Sequence, residues 1–162
     1  LVVFTSDHGE MGGSHALMNK GVWQEESTRV PMIVRAPGAP AGTEIDTPVS
    51  AGVDIMPTLL DWVGGPPEPT ASGASILAMV RAGEGRAHHP VFSEMAGGHD
   101  WIMVRDGDWK YVEGRASGEP IALHNLADDP RELENLVGSD TGDEGRSLRA
   151  ELRQWRSSVG LI

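Results

Sequence analysis

Three side chains near the start of the chain have the types and spacing for chemistry on an anion. Asp7 offers a hard carboxylate oxygen, and His8 offers an imidazole nitrogen that binds a metal when neutral. Lys20, in a glycine-rich stretch, is a compact charge on a flexible stem, suited to gripping an oxyanion. Such a cation also stabilises charge that develops on a transferred group. Adjacent residues at a strand end can both turn towards one point once the strand loses its regularity, and Gly9 allows a sharp exit with no side chain in the way. Two donors do not complete a metal site, since zinc takes about four ligands and calcium about six to eight. No second acidic cluster falls at a strand end, so the remaining ligands are expected outside this chain. Taken by themselves, Asp7-His8 is equally well explained by a capping aspartate at a turn, and Lys20 is better explained as a solvated surface lysine.

The surrounding elements must position these groups. Residues 1–5 form a continuous apolar run, the pattern of a parallel strand buried on both faces. Residues 6–29 are polar and glycine-rich, a long loop of the kind that carries function. Met32-Ile33-Val34 predicts a second buried strand. Val53–Val63 predicts a helix capped by Asp54, with Pro57 in its first turn and Gly64-Gly65-Pro66-Pro67 as its stop. Strand, active loop, strand and helix make an α/β pattern. Ser75–Ala82 predicts a short helix.

The second half differs in character. Val91–Glu94 and Ile121–Leu123 predict strands. Trp101–Arg105 and Asp108–Glu113 flank Asp106-Gly107, a strong hairpin signal. Asp129-Pro130-Arg131-Glu132 has the form of a capped helical start. Glu144–Val159 predicts an amphipathic helix with Leu148, Leu152, Trp155 and Val159 on one stripe and arginines 149, 153 and 156 on solvated faces. The expectation is an α/β part over residues 1–88. A small α+β subdomain, an antiparallel sheet with a terminal helix, follows over residues 89–162.

The chain has 162 residues, a formal net charge of −11 and no cysteine. The charge argues against a nucleic-acid partner, which needs a basic patch. The absence of cysteine excludes disulfides and thiolate metal sites within the chain. No apolar run reaches the length of a membrane span.

Several strings, taken together and in order, carry a family resemblance. They are Thr5-Ser-Asp-His-Gly-Glu10-Met-Gly-Gly13, His15-Ala-Leu17, Lys20-Gly21, Glu25-Glu26-Ser27 and Arg29-Val-Pro-Met-Ile-Val34. Pro37-Gly38, Val53-Asp-Ile-Met-Pro-Thr-Leu-Leu60, Trp109-Lys110-Tyr111, Leu123-His124-Asn125-Leu126 and Asp129-Pro130, with Glu132, Asn135 and Leu136, extend them. The whole closely resembles the sulfatases of the alkaline phosphatase superfamily. The resemblance implies a fragment of an alkaline-phosphatase-like α/β sandwich followed by the small C-terminal subdomain.

It also implies hydrolysis of an organic sulfate ester, on a small molecule or a carbohydrate. Asp7 and His8 are then ligands of a divalent metal, usually calcium, and Lys20 contacts the sulfate. The nucleophile of the family is a formylglycine made from an upstream cysteine or serine, whose motif does not occur in this chain. The chain is therefore expected to be the C-terminal portion of a longer sulfatase and inactive alone. His8 departs from simple hardness matching to calcium. Relatives with this Asp-His pair hydrolyse phosphonate monoesters or phosphodiesters with manganese, iron or zinc, which is the alternative reading. A catalytically dead relative or a binding module is a third.

The remaining candidates have more ordinary readings. His15 is expected in a pocket wall or in loop hydrogen bonding, and His99 is a lesser pocket candidate, in a loop that could reach over the site to the leaving group. Glu25, Glu26 and Arg29 are expected to form ion pairs or caps that hold the loop. Trp101 and Trp109 are expected in the core. His124-Asn125 is expected to be structural, and His88-His89 to lie in an exposed linker.

Overall fold

A computed structural model describes residues 1–86, 89–140 and 142–161. The elements in chain order are β1 (Val2–Phe4), a 3-10 turn (Ser14–Ala16), α1 (Glu25–Thr28), β2 (Ile33–Arg35), α2 (Ile55–Trp62) and α3 (Leu77–Ala82). They continue with β3 (Val91–Met95), β4 (Trp101–Asp106), β5 (Trp109–Gly114), β6 (Pro120–Asn125) and α4 (Glu144–Ser158). The chain is thus mixed α/β with antiparallel sheets and a C-terminal helix, and it divides into two units. One comprises residues 1–8 and 30–89, the other residues 9–29 and 90–162.

In the first unit β1 pairs with β2 in antiparallel register, Val3 facing Val34. This corrects the expected parallel strand buried on both faces. Among the described residues the sheet has two strands, with Val3 and Val34 half-buried on one face and Phe4 60% exposed on the other. Asp54 takes the cap position of α2 as expected, but its side chain makes no cap hydrogen bond. The Asp54 carboxylate instead accepts the Ser50 N–H at 2.8 Å and the Ala74 N–H at 2.8 Å, tying the helix start to the loop before α3. His89 Nε2 lies 3.6 Å from the same carboxylate, so His89 is packed rather than part of an exposed linker. His88 lies outside the described residues.

The second unit is built on the sheet β3-β4-β5-β6, antiparallel throughout. Asp106-Gly107 makes the β4–β5 turn as predicted, with Gly107 at φ 53°, a left-handed value that glycine tolerates without strain. Successive strand residues alternate faces, and both faces of this sheet are buried. Ile102, Val104, Tyr111 and Leu123 pack with Leu148 and Leu152 of α4. Phe92 stacks on Trp155 with ring centroids 4.8 Å apart. On the other face Trp101, Met103, Val112 and Ala122 form a second cluster, against which Trp23 packs. Segment 9–29 therefore belongs to this unit through its own apolar contact.

Two expectations fail here for identifiable reasons. No helix starts at Asp129. The Glu132 backbone is left-handed at φ 52°, its side chain is drawn into a buried ion pair, and Asp129 accepts the Glu134 N–H at 2.8 Å. The arginines of α4 are also not all solvated. Arg156 donates to the buried Glu113 carboxylate at 2.7 Å and to the Arg115 carbonyl at 2.9 Å.

Candidate functional site

Asp7 and His8 follow β1 directly, in the first unit. The Asp7 carboxylate accepts the His8 backbone N–H at 3.0 Å, and His8 Nε2 lies 3.5 Å from Asp7 Oδ2. Ser6 holds the turn by donating to the His8 carbonyl at 2.9 Å. The charge of His8, then the backbone N–H donors, hold the Asp7 carboxyl below its usual range. A carboxylate that stays ionised is what a hard metal ion requires. The pair supplies one oxygen and one nitrogen donor side by side and so fits part of a divalent metal site. Among the described residues no group of three or more metal-ligating side chains completes it.

Gly9 marks where the chain enters the second unit. Its N–H donates to the Ser27 carbonyl at 2.8 Å, and a Cβ placed on it would lie 1.9 Å from the Glu26 carbonyl oxygen. The glycine is required by a close backbone approach.

Lys20 is exposed, but the residue after it is fixed. The Gly21 N–H donates to Ser27 Oγ at 3.2 Å, and its carbonyl accepts Trp101 Nε1–H at 2.9 Å. A Cβ on Gly21 would lie 3.5 Å from Met95 Cε and 3.9 Å from His99 Cδ2. The turn bearing Lys20 therefore lies beside the glycine-rich β3–β4 loop that carries His99.

His15 occupies a strained turn. It and Ala16 adopt left-handed backbone at φ 52° and 59°, a conformation that bulky residues hold only when their surroundings enforce it. Its Nε2 lies 4.0 Å from Glu26 Oε2, a buried oxygen with no hydrogen-bond partner. Burial raises the Glu26 carboxyl, but the hydrogen bond from Ser14 and the charges of His15 and Lys110 outweigh it, and the net shift is downward.

Beneath this loop lies a charged network that the sequence does not announce. Lys110 is fully buried, and its Nζ contacts Glu25 at 2.6 Å, Glu132 at 2.9 Å and the Trp23 carbonyl at 2.9 Å. Glu132 also accepts the Glu25 backbone N–H at 2.6 Å, and Arg105 pairs with Glu25 at 2.6 Å. The expected ion-pairing of Glu25 is thus present, with Arg105 on β4 and Lys110 on β5, while Glu132 in the 126–136 loop accepts its backbone N–H. Sequence reading takes Glu132 for a helix-start residue and assigns Lys110 no role. The one available signal is a lysine between Trp109 and Tyr111 in an apolar strand. His124 is structural as expected, its Nδ1 2.9 Å from the Glu134 carbonyl oxygen.

A sulfatase family model matches residues 1–65, the segment that includes Asp7, His8, His15 and Lys20. A choline-sulfatase of Rhizobium meliloti is 34% identical over 98% of this chain and 31% of its own length. The chain is thus similar to sulfatases, through the family model over residues 1–65 and through this relative over nearly its whole length. It spans about a third of that relative and corresponds to the C-terminal part of such sulfatases. A solved structure in complex with its substrate D-glucosamine-2-N,6-O-disulfate matches with a TM-score of 0.80 and 26% identity, over 98% of this chain and 34% of that one. A phosphonate monoester hydrolase from Silicibacter pomeroyi matches with a TM-score of 0.79 and 27% identity, over 98% of this chain and 35% of that one.

Proposed function

We propose that the protein containing this chain hydrolyses an organic sulfate ester, with a small molecule or a carbohydrate as the alcohol. The observation that carries the reading is the Asp7-His8 pair at the end of β1, two metal donors within the segment that matches the sulfatase model. Asp7 and His8 would hold a divalent metal, calcium by preference or manganese, iron or zinc. When bound, that metal supplies Lewis-acid polarisation of an ester oxygen. Lys20 would grip a sulfate oxygen through its ammonium and counter the charge that builds there in the transition state. His99, beside the Lys20 turn, would meet the alcohol portion, and His15 would line the loop. The nucleophile is a formylglycine that this chain does not contribute.

The second reading is hydrolysis of a phosphonate monoester or phosphodiester. The likeness to the phosphonate monoester hydrolase favours it, as does the nitrogen donor His8 in place of an oxygen ligand. The two readings are separated by assaying the full-length protein on an aryl sulfate and on an aryl phosphonate monoester. The sulfatase reading expects turnover of the sulfate. Activity confined to the phosphonate overturns it.

A further inference from the structure

We propose that Lys110, on the C-terminal sheet, is a positioning residue for Lys20, acting through the buried network it forms with Glu25 and Glu132. The proposal rests on the role given to Lys20 above and extends it to side chains that touch neither metal nor substrate.

The linkage is continuous and consists of backbone and buried groups. Lys110 and Arg105 each hold one oxygen of the Glu25 carboxylate. Glu132 holds the Glu25 N–H, and Lys110 also holds the carbonyl of Trp23. Four contacts thus fix the first residue of α1 and the approach to it. α1 carries Ser27, which is buried, and Ser27 Oγ accepts the Gly21 N–H. Trp101 holds the Gly21 carbonyl from the sheet. With both backbone groups of Gly21 fixed, the Cα of Lys20 is fixed one residue away. The flexible stem then has only its own rotamers to search. Fixing an exposed lysine this way is what distinguishes a pre-organised anion contact from a solvated surface charge.

Lys110 is suited to the task because both acids converge on it. A side chain here that cannot donate leaves Glu132 buried with one N–H donor, and the left-handed Glu132 backbone loses the ion pair that holds it in place. The loop then has to move to let water in.

Two measurements test this. The first is hydrogen exchange on the full-length protein, comparing wild type with Lys110→Met and with the milder Glu132→Gln, which keeps an acceptor for the Glu25 N–H. Peptides covering residues 20–29 are expected to exchange faster, on the order of 100-fold in Lys110→Met and less in Glu132→Gln. Peptides covering β1, β2 and α2 should be unchanged. If Lys110→Met loses protection everywhere, Glu132→Gln decides the question. Unchanged exchange over residues 20–29 in the variant that keeps its fold overturns the coupling. The second is a double-mutant cycle on kcat/KM for an aryl sulfate in the full-length protein. Lys110→Met is expected to lose most of what Lys20→Ala loses, and the double variant is expected to lose no more than Lys20→Ala alone. Losses that multiply would make Lys110 a purely structural residue. A wild-type protein without sulfate-ester turnover would defeat the proposed function, while the exchange experiment would still decide whether Lys110 holds the loop.

Discussion

Replacing Gly9 with alanine tests the geometry at the point where Asp7-His8 gives way to the Lys20 loop. The backbone of Gly9 is not left-handed, so alanine meets no torsional penalty there. Its difficulty is steric. The new methyl carbon would lie 1.9 Å from the Glu26 carbonyl oxygen, 2.9 Å from the carbon of that carbonyl and 3.3 Å from the Ser27 oxygen. All three are backbone atoms, so no side chain can swing aside. The strands of chain must separate by more than an ångström, which lengthens or breaks the 2.8 Å bond from the Gly9 N–H to the Ser27 carbonyl. Overpacking costs about 1–3 kcal/mol and the lost hydrogen bond about 0.5–1.5 kcal/mol. Together they give about 1.5–4.5 kcal/mol. At roughly 2–4 °C per kcal/mol for a chain of this size, Tm should fall by roughly 3–18 °C. Thermal unfolding followed by circular dichroism measures this. Gly98→Ala is the matched control, because a Cβ there meets nothing within 4 Å and its φ is not left-handed. That variant should be neutral or stabilised by about 0.4–1 kcal/mol. If Gly9→Ala behaves like Gly98→Ala, the close approach of Gly9 to α1 is wrong.

Other outcomes follow from single features. Tyr111 is the only tyrosine in the chain, so absorbance at 295 nm reports it alone. Burial, then the neighbouring Glu113 charge, raise its phenol to about 12, and ionisation should be centred there rather than at 10.0. Because the folded value is raised, this contribution to stability is complete below pH 10 and is lost as pH rises through about 12. Leu152, fully buried between α4 and the sheet, should cost about 2–5 kcal/mol on replacement by alanine, read by urea unfolding. A value near zero would mean that α4 is not docked as described. In the full-length protein Lys20→Ala should lower kcat for an aryl sulfate by about 100- to 1,000-fold, the loss of one transition-state contact. An unchanged rate would make Lys20 a surface residue.

What the sequence made legible was local. The β4–β5 hairpin rests on Asp106-Gly107, and α4 rests on a leucine and tryptophan stripe. Both signals lie within the segments they shape, and both elements formed where expected. The apolar run at β1 was read correctly as a strand, but its burial depends on neighbours, which no pattern inside the run can report. The segment around Glu132 was misread for a similar reason. Its proline and acids favour a helix locally, while Lys110, 22 positions away, draws Glu132 into an ion pair and a left-handed backbone. The burial of Lys110 itself depends on groups from the Trp23–Glu25 stretch and from Glu132. Only the fold assembles them. Of the site, Asp7, His8, His15, Lys20 and His99 could be named from residue type and resemblance. The pairing of His15 with Glu26 and the proximity of His99 to the Lys20 turn could not.

The central claim is that Asp7 begins a metal site on which sulfate-ester hydrolysis depends. The most direct test is kcat/KM for an aryl sulfate in the full-length protein, wild type against Asp7→Ala, with the divalent metal supplied in excess. Wild type is expected to turn the ester over and the variant to show nothing above background, because a lost charged ligand in an open metal site has no substitute. Full activity in Asp7→Ala would contradict it.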